Sequence, residues 1–98
     1  MRDEVRDLVL TACGLLNEQL EKPIPIELGE EAPLHGPGGV IDSLGLVNLI
    51  VLTEQAIEEA FGAVINLADD TTLSGETAVF ASVGSLTTHI VEELEAVQ

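Results

Sequence analysis

The sequence has no tryptophan and no tyrosine, two phenylalanines, one cysteine, and three basic side chains among 98 residues. Each shortage removes a class of function. A lone cysteine, Cys13, leaves nothing for an intrachain disulfide to join, and two histidines without companion cysteines give no recognisable zinc spacing. A reducing, cytoplasmic setting is therefore expected. Three Lys and Arg against 18 Asp and Glu give a net charge of −15, a field that repels phosphate backbones and anionic membrane surfaces, so no nucleic acid and no membrane is expected as a partner. Apolar stretches are broken every few residues, far short of the roughly 18 needed for a span. The start, Met1-Arg2-Asp3-Glu4, is too acidic and too interrupted to suit a signal peptide.

What is present argues for a folded domain. Apolar residues make up 46% of the chain and mean hydropathy is +0.36, which separates it from acidic disordered tails. Residues 1–98 suffice for a single domain. A domain of this size buries only about 60–65% of its unfolded surface, so modest stability is expected, weakened by self-repulsion and helped by salt.

Apolar positions Val5, Leu8, Val9, Ala12, Leu15, Leu16 and Leu20 follow helical spacing and predict a first helix over Asp3 to Leu20, with Cys13 a small apolar neighbour of the stripe. All four prolines then fall between Glu21 and Asp42, together with the run Gly36-Pro37-Gly38-Gly39. A loop this long is functional or pinned by its own side chains, and Ile24, Ile26, Leu28, Leu34, Val40 and Ile41 are the candidates for pinning. A second helix is expected from a cap at Asp42 or Ser43 to Phe61, stopped by Gly62. A minor turn or helix over Asn66 to Leu73 follows. Ser74 to Ala81 reads as irregular, anchored by Phe80, and Ser82 opens a closing helix with apolar positions Val83, Leu86, Ile90, Leu94 and Val97. The pattern predicts an all-α fold: a small antiparallel four-helix bundle, three main helices plus one short helix, with a long first loop.

The second helix carries two apolar sides. At about 100° per residue, Leu46, Leu49, Ile50, Thr53, Ile57 and Ala60 gather on one side, which is assigned to the core. Leu44, Val47 and Val51 gather on another, beside Glu54, Gln55 and Glu58. A helix apolar on two sides is deeply buried or docks a partner. Docking is the preferred reading for a small bundle, and the plainer one is that the proline-rich loop covers this side.

Ser43 stands at the head of that helix after a glycine-rich turn, and a cap would explain it if it stood alone. The whole run Gly38-Gly39-Val40-Ile41-Asp42-Ser43-Leu44-Gly45-Leu46-Val47, placed at the start of the central helix of a short acidic helical chain, resembles an acyl carrier protein. The resemblance spans essentially the full chain. It implies that Ser43, within Asp42-Ser43-Leu44, receives a covalent 4′-phosphopantetheine arm from coenzyme A through a phosphopantetheinyl transferase. It further implies a monomeric carrier that is not an enzyme, loaded by an acyl- or aminoacyl-loading ligase and unloaded by a downstream transferase or synthase. Val47, Val51, Glu54, Gln55 and Glu58 would then meet those partners. In contrast to fatty-acid carriers, the turns after the serine hold Gly45 and Asn48 rather than acids. The run Val40-Ile41-Asp42-Ser43 is similar to free-standing carriers served by a dedicated ligase in a specialised pathway.

Two other readings compete. A serine hydrolase would pair Ser43 with His35 or His89, but Ile41-Asp42-Ser43-Leu44-Gly45 lacks the first glycine of a nucleophile elbow, and 98 residues hardly build a substrate pocket. An unmodified helical interaction module would use the second face of the central helix without any arm.

Overall fold

The computed structural model describes residues 2–20, 22–35, 39–65, 67 and 79–97, without the side chains of Ser43 and Val97. Among them the fold is all-α. Helix α1 spans Arg2–Asn17, a 3₁₀ segment spans Ile26–Glu31, α2 spans Ser43–Phe61, and α3 spans Val83–Val97. Apart from Leu67, the turn expected over Asn66 to Leu73 lies outside the described residues, as do most of Ser74 to Ala81 and Gly36-Pro37-Gly38. No described helix is long and apolar enough to cross a membrane.

Helix α1 starts with Asp3 and Glu4 in its first turn, where carboxylates oppose the positive end of the helix dipole. Val5, Val9, Ala12, Cys13 and Leu16 form its buried face, each at most 2% exposed. Each large aliphatic side chain so buried contributes about 1.5–3 kcal/mol. The expected end at Leu20 is corrected to Asn17. The Asn17 side chain turns away to bind the backbone of Ile24 reciprocally, its Nδ2 donating to the Ile24 oxygen (3.0 Å) while its Oδ1 accepts from the Ile24 amide (2.7 Å). Residues 18–20 then close as tight turns, with Gln19 N–H donating to the Leu16 oxygen at 2.9 Å. Leu15, expected on the core stripe, is half exposed.

The proline-rich loop holds the 3₁₀ segment, where the sequence pattern predicts no regular structure. The segment is kinked at Gly29 (φ 63°). Of the residues expected to pin this loop, Ile24, Leu34 and Ile41 are buried and Val40 is half-buried, whereas Ile26 and Leu28 lie exposed. Ala32, not among the candidates, is fully buried. Arg2 fastens the segment to both neighbouring helices: its guanidinium pairs with Glu30 and donates to Thr88 Oγ1 at 2.8 Å. The bond to Arg2 holds the Glu30 carboxyl below the usual carboxylate range.

Helix α1 packs against both α2 and α3, and the 3₁₀ segment lies on α1 and α3. Among the described residues α2 and α3 make no close backbone contact with each other. Helix α3 opens with a reciprocal serine cap, Ser85 N–H donating to Ser82 Oγ (3.2 Å) and Ser82 N–H donating to Ser85 Oγ (3.0 Å), as its opening serine suggested. Val83, Leu86, Ile90 and Leu94 are fully buried, and Phe80 is buried just ahead of them.

Candidate functional site

Helix α2 opens on Ser43 because Asp42 stops the extended chain and caps it. Asp42 has φ −88° and ψ −174°, and its Oδ1 accepts from the Gly45 amide at 2.8 Å while its own carbonyl accepts from Leu46. The cap is thus Asp42, which leaves Ser43 as the first helical residue. The amides of Ser43 and Leu44, ahead of the two that Asp42 satisfies, find no acceptor among the described residues. Two unpaired N–H groups at the positive end of a 19-residue helix favour an anion there.

The approach to this turn is held by a clasp. The Leu34 carbonyl accepts from both Val40 (2.9 Å) and Ile41 (3.0 Å), and His35 Nδ1–H donates to the Ile41 oxygen (3.0 Å). On the other side, the amides of Leu34 and His35 donate to the carbonyls of Ala81 and Phe80, both at 2.9 Å. The residue before the cap is therefore tied through two layers to the segment that enters α3. Gly39 sits inside the clasp, where a Cβ would fall 2.7 Å from the Leu34 oxygen and 2.8 Å from the His35 carbonyl carbon.

Beside the turn lies a cleft of about 420 Å³ between the end of α1 and the start of α2. Leu16, Leu20, Val40, Ile41 and Leu44 form its apolar wall, and Gln19, Lys22, Asp42 and Asn48 its polar edge. The sequence reading missed this cleft. Its walls come from three parts of the chain, so no local pattern marks it.

The two expected faces of α2 are separated as the spacing required. Leu46, Leu49, Ile50, Thr53 and Ile57 are buried, Leu49 completely, although Ala60 at the far end is exposed. On the second face Leu44 is 71% exposed, Val47 53% and Val51 47%, so no described part of the proline-rich loop covers them. Gln55 and Glu58 are exposed beside them. Glu54 is half-buried, with its Oε2 accepting from the Leu67 amide at 2.7 Å, and so anchors the chain returning from α2. Its periodic position gave no sign of that tie.

His35 and His89 do not share a setting. His35 is engaged with Ile41 in the clasp, and His89 lies on α3, 3.5 Å from Glu93. Among the described residues no group of His, Cys, Asp and Glu is arranged to hold a metal ion. Cys13 is wholly buried, and burial pushes its thiol from an ordinary 9.0 up to about 12. Raised above its unfolded value, this group favours folding at neutral pH and loses that contribution as pH rises from about 9 toward 12. Iodoacetamide at pH 8 should therefore leave Cys13 unmodified in the native protein and label it in urea, as read by mass. Rapid labelling without denaturant would show the thiol to be accessible.

Compared with known proteins, the chain matches no family model, no curated protein and no solved structure.

Proposed function

We propose that the protein is a free-standing acyl carrier protein that bears a 4′-phosphopantetheine arm on Ser43. In this reading its helices pack as a small antiparallel bundle, and it works as a cytoplasmic monomer. One observation carries the reading: Asp42-Ser43-Leu44 forms the capped opening turn of α2, with the serine first in the helix and the amides of Ser43 and Leu44 unpaired among the described residues. Those residues suit the group. A phosphodiester on Ser43 meets two free N–H donors and the positive end of the helix dipole.

Modification by a phosphopantetheinyl transferase uses little from this chain beyond position. Ser43 gives up its hydroxyl proton to the transferase and forms a P–O bond to the pantetheine-bearing phosphorus of coenzyme A, while the pyrophosphate bond breaks and adenosine 3′,5′-bisphosphate departs. The arm supplies a terminal thiol that holds an acyl or aminoacyl group as a thioester. Cys13, buried and protonated, stays out of that chemistry. Leu44, Val47 and Val51 offer an apolar patch edged by Gln55 and Glu58 to the loading ligase and the downstream transferase or synthase.

Incubation with coenzyme A and a broad-specificity transferase should add about 340 Da to the intact protein, the mass of the arm. Ser43→Ala should abolish the gain completely. A wild-type mass unchanged beside a carrier that the same transferase does modify would overturn the reading. It would also favour the second one, an unmodified interaction module, which the exposed Leu44, Val47 and Val51 support in their own right.

A further inference from the structure

The cleft beside the opening turn of α2 has a specific chemistry. It is bounded by both chain neighbours of Ser43, Asp42 and Leu44, at the turn where the arm would be attached. A phosphodiester there would stand one residue from the Asp42 carboxylate on a chain of net charge −15, and it needs an opposing charge. The chain has three basic side chains. Arg2 is committed to Glu30 and Thr88, and Arg6 to Asp3 and Asp7. Lys22, the third, makes no ion pair among the described residues and lines this cleft.

We propose that the cleft seats the phosphopantetheine arm, with Lys22 balancing its phosphodiester; the inference rests on the carrier reading. The remaining walls fit the rest of the arm. Leu20, Val40 and Leu44 offer apolar surface for its dimethyl carbon, and Gln19 and Asn48 offer side-chain amides for its two peptide-like groups. About 420 Å³ lies within the roughly 300–1,000 Å³ of small-molecule sites. Seating would hold the thiol near the protein between encounters and release it when a partner covers Leu44.

The test compares apo and holo forms of the full chain, the holo form verified by mass. Amide ¹H–¹⁵N shifts should change at Gln19, Leu20 and Lys22, about twenty positions from Ser43 in sequence. Iodoacetamide should alkylate the arm's thiol about threefold more slowly than free pantetheine, as for an arm seated two-thirds of the time. Lys22→Glu, a change at an exposed position, should return the rate to that of free pantetheine and erase the remote shifts at Gln19 and Leu20, with the circular dichroism spectrum unchanged. Shifts confined to residues 42–46 together with the free-pantetheine rate would overturn the seating while leaving the carrier reading intact. A Lys22→Glu protein that behaves as wild type would remove Lys22 from the site. Absence of the mass gain overturns the carrier reading first, and the seating falls with it.

Discussion

Leu49→Ala should cost about 2–5 kcal/mol of folding stability, whereas Val47→Ala, two positions earlier on the same helix, should cost less than about 0.5 kcal/mol. Leu49 is fully buried between α2 and its neighbours, so truncation leaves a cavity in addition to the lost transfer energy. Val47 is 53% exposed and leaves none. For a domain with about 5–15 kcal/mol in total, the first change is a large fraction of the whole. Urea denaturation monitored by circular dichroism measures both. The same contrast isolates docking from folding. Val47→Asp should melt like wild type and, on the carrier proposal, slow loading by a partner ligase at least about tenfold, because a carboxylate on a patch that must be desolvated opposes association. Loss of stability in Val47→Asp comparable with that of Leu49→Ala would place Val47 in the core and end its assignment to a partner face.

The second large effect is expected at Gly39. An alanine there would press its methyl 2.7 Å from the Leu34 oxygen, 2.8 Å from the His35 carbonyl carbon and 2.9 Å from the His35 Cα, all backbone atoms with little room to yield. The clasp must open to admit it. That weakens the paired donation of Val40 and Ile41 to Leu34 and the His35 bond to Ile41, which together set where α2 begins. Overpacking of this kind costs about 1–3 kcal/mol, and on the carrier proposal the rate of arm attachment to Ser43 should fall with it. Gly14→Ala is the matched control. Its new methyl would find Ile26 Cδ1 at 3.9 Å, an ordinary contact, and a mid-helix glycine replaced by alanine gains about 0.5–1 kcal/mol. Thermal melts and the time course of mass gain read both variants. A Gly39→Ala protein as stable and as readily modified as wild type would show that the clasp does not govern the opening of α2.

Much of this architecture was legible in the sequence because it is written locally. Helical spacing separates Leu49 from Val47, Asp42 and Gly62 bracket α2, and Ser82 announces α3. Side chains that reach across the chain were not legible. Asn17 ends α1 early by binding Ile24, Glu54 leaves its face to hold Leu67, and Leu28 lies exposed in a loop where its apolar character suggested burial. The 3₁₀ segment was hidden for a different reason, since six residues with a glycine kink present no sustained period. At the candidate site the serine and its cap follow from the Asp-Ser-Leu run, but the cleft and Lys22's place on it need the end of α1 folded against α2.

Helix α1 packs against both α2 and α3, and Arg2 reaches Thr88 across 86 positions of chain. Its apolar face therefore has no complete cover until both partner helices have formed. Such distant pairing slows the search for the native arrangement.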